Sequence, residues 1–259
     1  MMRYLRCLLL ILVGGVALTG SAAWAKEVGA KEAGAKEAPR VLIFSKSTGW
    51  RHMSITPGVA ALKALGARAG MTMIASEDPD IFSTDGLKDV KAIILLSDTS
   101  ARDAASEWFT DTRREAFEAF VHRGGGVVGI HAAADSHYNW PWYGRMIGAR
   151  FQRHPQGTPE GTITVVDPRH PAMKGLAPVT RHVDEWYYFE DYNPRLHLLA
   201  TIDPASIGEA DVNPNPVAWC QEFEGGRIFY TAMGHTDESY RDPWFVKQIE
   251  NGLNWVLKR

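Results

Sequence analysis

Cysteine is nearly absent from this sequence, which has only Cys7 and Cys220 among its 259 residues. Cys7 lies in an apolar N-terminal segment that we expect to be removed, so Cys220 is left without a partner for an intramolecular disulfide. A disulfide-stapled fold is therefore excluded, and a hydrophobic core has to supply the stability. Cys220 ends the apolar run at residues 217–220, where we expect a buried, unreactive thiol.

Net charge is also small, since 28 basic and 30 acidic side chains give −2 at pH 7. Loss of residues 1–25 removes two arginines and no acid, which takes the net charge from −2 to −4. A slightly acidic protein is not typical of nucleic-acid binding or of attachment to anionic membranes, so we expect neither partner. The glycine run at residues 124–126 precedes a predicted strand rather than a helix, and no nucleotide cofactor is expected.

The N-terminus lacks an apolar run long enough for a stop-transfer helix. Residues 8–18 form an apolar stretch interrupted by two glycines, with two arginines before it and Ala-Trp-Ala at residues 23–25 after it. This pattern predicts a secretory signal peptide over residues 1–25, with an uncleaved anchor as the alternative. We expect an exported protein, periplasmic or extracellular, without membrane contact after cleavage.

Residues 26–38 repeat Lys-Glu and small residues, so they cannot bury an apolar face and predict a flexible linker. From residue 39 onward, short apolar runs indicate strands buried on both faces. These runs are at residues 40–45, 71–75, 92–96 and 127–130. Helical patterns at residues 57–69 and 106–122 alternate with them. The order β-α-β-β-α-β predicts an α/β fold with a doubly wound, mainly parallel sheet of the flavodoxin-like kind.

The C-terminal half has more predicted strands and fewer helices. The strands are expected at residues 161–166, 197–201, 216–220 and 227–231, before a closing helix at residues 242–258. No Pro- or Gly-rich linker divides residues 39–259. We therefore expect one domain with extra strands and loops in its C-terminal half; a homo-oligomer stays open.

Ligands of open α/β sheets bind outside the carboxyl ends of the strands. The first predicted strand leads into a loop with Trp50, Arg51 and His52, which capping of the next helix does not explain. The fourth leads into Gly129-Ile-His131-Ala, whose small residues allow a sharp turn that lifts His131 to the top of the sheet, as in a nucleophile elbow. Histidine there suits metal binding, proton transfer or hydrogen bonding; a buried core histidine is the alternative.

Further polar residues lie on other predicted loops. Glu185 follows Asp184 and precedes a run of aromatic residues, His235 follows the last predicted strand, and His154 precedes a proline. Several histidines and a carboxylate suit Zn²⁺ or a similar divalent ion. We expect ligands among His52, His131, His154 and His235. Paired motifs such as H-x-x-x-H, H-E-x-x-H and C-x-x-C are missing, so the expectation depends on these loops meeting at one edge.

Several segments taken together resemble the ThuA-like (trehalose-utilisation) family from about residue 40 to the C-terminus. They are FSKSTGWRHMSI (44–55), GGGVVGIHAAAD (124–135), FQRHP (151–155), DPRHPAMKGL (167–176), DEWYYFE (184–190), NPVAW (215–219) and GGRIFYTAMGHTDESYRDPWF (225–245). The resemblance implies a fold like that of class I glutamine amidotransferases, which need an elbow cysteine. Because His131 stands there, glutamine hydrolysis through a thioester is not expected. The resemblance also implies a connection with trehalose, other disaccharides and 3-keto-glycosides.

Two main functional hypotheses stay open. The first is a carbohydrate-active hydrolase, lyase or isomerase with His131, Glu185 and His235 as catalytic residues. The substrate-binding candidates are Trp50, Arg51, Asp135 and Tyr187, with Trp140 and Trp142 as further aromatic walls. The second is a non-catalytic carbohydrate-binding protein on the same scaffold. A partner-binding domain is a third interpretation, which an exposed apolar patch would favour.

Overall fold

The computed structural model describes residues 37–211 and 215–259, so the predicted signal peptide and nearly all of the predicted linker lie outside the described residues. The strands are β1 (Arg40–Phe44), β2 (Thr72–Ser76), β3 (Val90–Leu96), β4 (Gly126–Ile130), β5 (Arg150–Arg153), β6 (Glu160–Val165), β7 (Val179–Val183), β8 (Tyr188–Glu190), β9 (His197–Ile202), β10 (Asn215–Phe223) and β11 (Gly226–Thr231). The helices are α1 (Ile55–Ala69), α2 (Asp111–His122), α3 (Pro141–Ile147) and α4 (Pro243–Val256).

One nine-stranded sheet organises the fold, in the order β2-β1-β3-β4-β11-β10-β9-β6-β7. The first five strands are parallel to one another. The chain passes from β1 outward to β2 and then returns to β3 on the other side of β1, which makes a switch point between β1 and β3. The prediction of a doubly wound, mainly parallel sheet is confirmed for this half.

Antiparallel strands extend the sheet beyond β11. β10 pairs with β11 and β9, and β6 pairs with β9 and β7, all antiparallel. A separate two-stranded ribbon joins β5 to β8. The predicted addition of strands and loops in the C-terminal half is therefore confirmed, and β11 is the boundary between the parallel and the antiparallel parts.

The inner strands β1, β3 and β4 are mostly apolar on both faces, as expected where helices cover a sheet. Residues 41–44 of β1 are completely buried, as are residues 92–96 of β3. Helix α4 contacts α1, β4 and β11, while Phe117 of α2 and Trp142 of α3 have ring centroids 5.8 Å apart. Within the described residues, no helix has both the length and the hydropathy needed to span a bilayer.

Helix α2 begins later than the sequence pattern predicted. Residues 106–110 precede the helix, which starts at Asp111 after an extended Thr110. Trp108 and Phe109 have helical spacing from later apolar residues, but they pack around Phe82 outside the helix. The prediction that the helix starts at residue 106 is wrong. The spacing of these two apolar residues matched a helix, but they are buried as part of an extended segment before it.

Cys220 behaves as expected. It lies in β10, its side chain is buried, and burial raises the pKa of its thiol from 9.0 to about 12. A thiol with so high a pKa is not a nucleophile at neutral pH.

Candidate metal-binding site

The turn after β4 holds His131 in a strained backbone conformation. Its φ is +50°, a region that side chains rarely adopt and that persists where the surrounding structure imposes it. The Tyr230 hydroxyl donates to the His131 carbonyl at 2.7 Å. Gly129 is needed two residues earlier, because a Cβ there would lie 2.9 Å from the Tyr230 ring. The sequence is thus built to present His131 at the end of β4.

The His131 imidazole is completely buried, and its Nδ1 lies 2.7 Å from the carbonyl oxygen of Ala232. Nδ1–H donates this hydrogen bond, because a carbonyl can only accept. In the neutral ring the proton is therefore on Nδ1, and Nε2 is left with a free lone pair directed into the site.

Two further histidines meet His131 from the ends of other parallel strands. His52 lies in the loop between β1 and α1, with its ring centroid 4.8 Å from that of His131. His235 follows β11, and its Nδ1 lies 3.3 Å from His131 Nε2. The carboxyl ends of β1, β4 and β11 thus bring three imidazoles to one point, as the parallel topology requires.

Glu185 completes the group from the connection between β7 and β8. Its Oε2 lies 3.4 Å from His131 Nε2 and 3.3 Å from His235 Nδ1, while Oε1 lies 3.3 Å from His154 Nε2. One ligand atom from each of His52, His131, Glu185 and His235 lies within 4.8 Å of the others. His154 is outside this group, with a half-exposed side chain that contacts the second oxygen of Glu185.

The electrostatics of the group follow from burial and mutual contact. Burial, helped by the neighbouring His131 and His235, lowers the pKa of His52 from 6.5 to about 3. Burial acts to raise the pKa of Glu185, but the close imidazoles of His131 and His235 outweigh it and hold that pKa well below 4.5. The hydrogen bond with Glu185 raises the pKa of His235 despite burial. His52 is thus neutral and Glu185 anionic, the states in which both side chains bind metals.

A cavity of about 420 Å³ opens onto the group. Its lining consists of Trp50, His52, Asp135, Phe151, His154, Glu185, Tyr187 and His235. The Tyr187 ring is buried and lies 4.3 Å from the His131 ring, and Phe151 packs against Tyr187 at 4.2 Å. Aromatic walls around a few polar groups, in this size range, are typical of small-molecule sites.

Asp135 is the second carboxyl group of the cavity lining. The Tyr138 hydroxyl donates a hydrogen bond to Asp135 Oδ1. Burial raises the pKa of Asp135 above 3.8, although the Tyr138 hydrogen bond and Arg102 act in the other direction. Asp135 is therefore not one of the four grouped side chains, and its raised pKa favours the neutral form more than in an exposed aspartate.

Some expected residues lie elsewhere. Arg51 makes a two-pronged ion pair with Glu77, at 2.6 and 3.0 Å, and is not part of the cavity lining. Trp140 and Trp142 are buried in the core, with ring centroids 5.1 Å apart, so their prediction as walls of the site is wrong. Sequence reasoning missed Phe151, although it begins the FQRHP segment.

Comparisons with known proteins identify the family of the chain. The sequence profile of the ThuA family, described as trehalose utilisation, matches residues 40–256. No curated protein sequence matches the chain significantly.

Similar solved structures include ThuA-like proteins. A ThuA-like protein from Bacteroides uniformis has a TM-score of 0.71 at 25% identity, over 87% of this chain and 94% of that one. Another, from Parabacteroides merdae, has a TM-score of 0.68 at 19% identity, over 86% and 90%. A Thermoplasma acidophilum protein described as a GMP synthase component shares the fold alone, with a TM-score of 0.55 at 11% identity over 86% and 96%. The fold is α/β and amidotransferase-like, and the chain belongs to the ThuA family.

Proposed function

We propose that this protein binds a divalent metal ion such as Zn²⁺ through His52, His131, Glu185 and His235, and acts with it on a carbohydrate. The observation that carries the proposal is the group of four ligand atoms within 4.8 Å at the base of an aromatic-lined cavity. Three imidazoles and one carboxylate are a donor set that suits Zn²⁺ and related ions.

The state of these residues supports a metal rather than a plain hydrogen-bonded cluster. His52 Nδ1 is buried without a hydrogen-bond partner among the described residues, which is costly for a polar atom. His131 is oriented through Nδ1 by the Ala232 carbonyl, in the way that metal-ligating histidines are usually fixed. His154, in contact with the outer oxygen of Glu185, orients that carboxylate.

The cavity walls support a sugar as the ligand. Trp50 exposes 72% of its surface at the rim, and Tyr187 and Phe151 lie deeper. Sugars pack their C–H faces on such rings and need polar groups for their hydroxyls. The family description, trehalose utilisation, supports the same class. We therefore expect a disaccharide, another glycoside or a 3-keto-glycoside as substrate, and hydrolysis, elimination or isomerisation as the reaction.

The residues divide the chemistry between them. A bound metal would polarise a carbonyl or hydroxyl group of the sugar. The sequence suggested proton transfer by Glu185 and His235, but their contacts with His131 favour ligand roles for both. Asp135 is the carboxyl group left to take a proton from a sugar hydroxyl or return it, and Tyr138 holds it in place.

A carbohydrate-binding protein without turnover is the second candidate. The exposed indole of Trp50 favours it, because such a platform binds sugars whether or not chemistry follows. Turnover of trehalose, glycosides or 3-keto-glycosides that a chelator abolishes would support the enzyme. Saturable sugar binding to protein carrying zinc, without any product, would support the second candidate.

The experiment that tests the metal site is metal analysis of the untagged protein by plasma mass spectrometry. We expect about one equivalent of a divalent ion in the wild type and a large loss in His131→Ala. His122→Ala is the matched control, because His122 also faces a glutamate, Glu224 at 2.7 Å, but lies on α2. Less than about a tenth of an equivalent in the wild type, with no uptake after addition of zinc, would contradict the proposal.

We also propose export, on the basis of the predicted signal peptide. N-terminal sequencing of the protein from the periplasmic or extracellular fraction should then show a mature chain that begins at Lys26. A start at Met1 in protein recovered only from the cytoplasm would contradict it.

A further inference from the structure

One oxygen atom joins two residues of the proposed ion-binding group (His52, His131, Glu185 and His235). Asp184 Oδ1 accepts the backbone N–H of Glu185 at 2.9 Å and that of His235, also at 2.9 Å. These two residues come from different parts of the fold, the connection after β7 and the loop after β11. A single carboxylate oxygen therefore sets the spacing between two of the four candidate ligands.

The second oxygen of Asp184 holds the same loop. Oδ2 accepts the backbone N–H of Gly234 at 2.8 Å and the hydroxyl of Ser239 at 2.9 Å. Gly234 has φ +117°, and a Cβ there would lie 2.9 Å from Ile130, so the loop has little freedom to relax. The carboxyl group of Asp184 is completely buried and directs its hydrogen bonds to residues 234–239 and to Glu185.

His182 connects Asp184 to a helix. It lies on β7, with Nε2 3.0 Å from Ser239 Oγ and 3.4 Å from Asp184 Oδ2. Its Nδ1 lies 3.5 Å from Asp242 Oδ2, and the other oxygen of Asp242 caps α4 by accepting the Phe245 N–H at 2.9 Å. The contacts run without interruption from the N-terminus of α4 to the backbone of the site.

We propose that Asp184 is a positioning residue for the ion-binding group and that His182 and Asp242 hold it in place. The inference rests on the proposed function, since it assigns these residues to the geometry of that metal site. Together they form the Asp184 relay (Asp184, His182 and Asp242).

The chemistry of Asp184 favours this role over a purely structural one. Burying a carboxylate costs several kcal/mol unless donors surround it, so a neutral side chain would suit the core better. Here the donors are the backbone N–H groups of two candidate ligands, Glu185 and His235, that of the adjacent Gly234, and the hydroxyl of Ser239. Groups that orient metal ligands from behind, when mutated, typically reduce metal affinity by about 10–100-fold.

Asp184→Asn is the decisive variant, because it keeps the size of the side chain and replaces one oxygen with an NH₂ group. Whichever way the amide turns, at least two N–H or O–H donors lose their acceptor. We expect zinc affinity, measured by competition with a chromogenic chelator, to fall by about 10–100-fold. The visible absorption bands of bound Co²⁺ should shift as well, since the ligand geometry changes.

Asp167→Asn is the matched control. Asp167 also accepts a backbone N–H, from Arg169 at 3.0 Å, and faces a histidine, His197 at 3.0 Å, but it lies in the loop after β6 outside the ion-binding group. Its zinc affinity and Co²⁺ spectrum should match the wild type. Should Asp184→Asn fail to fold, His182→Gln tests the relay from the next residue, with a smaller loss of affinity.

Amide hydrogen exchange of metal-free protein separates this inference from the proposed function. Faster exchange at Gly234 and His235 in Asp184→Asn, with unchanged exchange in β11, supports the relay even if the wild type binds no zinc. Unchanged exchange at both amides overturns it. Wild-type zinc affinity and an unshifted Co²⁺ spectrum in a folded Asp184→Asn variant overturn it too, while leaving the metal site intact.

Discussion

Asp98, two residues after the end of β3, shows how burial changes the chemistry of one side chain. Its carboxyl group is completely buried, Oδ1 has no hydrogen-bond partner among the described residues, and Oδ2 is 3.4 Å from the Tyr143 hydroxyl. Burial raises the pKa of Asp98 from 3.8 to about 8, more than the Tyr143 contact lowers it. The folded protein therefore keeps this group protonated at pH values where the unfolded chain ionises it.

This difference predicts a pH-dependent stability. As pH rises from about 4 to about 8, the unfolded state loses the Asp98 proton first, so this group lowers the free energy of unfolding by up to about 1.4 kcal/mol per pH unit. Asp98→Asn should remove that pH dependence. Its free energy of unfolding should therefore rise relative to that of the wild type as pH increases across this interval. Urea unfolding between about pH 5 and 8 measures it, with the exposed Asp85→Asn as control. Parallel curves for wild type and Asp98→Asn would contradict the assignment.

At this scale the sequence identified His52, His131, Glu185 and His235, because polar residues at predicted strand ends stand out. His154 had the same weight as a candidate ligand, because sequence spacing does not show which side chains lie within the group of four and which contact it from outside. Asp184 was considered only together with Glu185. Its proposed role depends on the contact between Asp184 and the loop of His235, which lie 51 residues apart in sequence. No local sequence pattern predicts such a contact.

At the C-terminal end of helix α1, the backbone conformation, rather than side-chain packing, explains why the residue is glycine. Gly70 has φ +65°, its N–H bonds to the Gly66 carbonyl, and no atom lies within 4 Å of where a Cβ would be. The left-handed conformation favours glycine and, less strongly, asparagine.

We expect Gly70→Ala to reduce the free energy of unfolding by about 1 kcal/mol, because alanine is strained at this φ. Gly70→Asn should cost less, since asparagine tolerates the left-handed region. Thermal or urea unfolding of both variants checks this. Equal stability of wild type and Gly70→Ala would mean that the helix ends differently.

Elements with strong periodicity or apolar runs were predictable, including α1, α4 and the strands of the parallel part. The short elements were not. β8 has three residues and β5 has four, too few for alternation to show, and β7 is an edge strand with an exposed Val179 and Val183. Helix α3 spans only seven residues, so its apolar face cannot be told from a buried loop.

For the whole molecule, the proposed ion should contribute to folding stability. With free Zn²⁺ at about 100 times its dissociation constant, binding to the folded state alone adds about 2.7 kcal/mol. For a domain of this size that corresponds to about 5–11 °C in melting temperature. A chelator should lower the melting temperature of the wild type by that amount and leave His131→Ala unchanged. An equal shift in both proteins would point to an effect of the chelator elsewhere.

The fold draws the candidate ligands from residues 52, 131, 185 and 235, which are widely separated along the chain. A nascent chain on the ribosome lacks the complete set until residue 235 has been made. If the chain is exported before it folds, the ion would have to come from the metal pool of the destination compartment, because the site does not exist earlier. If both proposals hold, the spacing of four side chains along the sequence makes metal uptake a step that follows export.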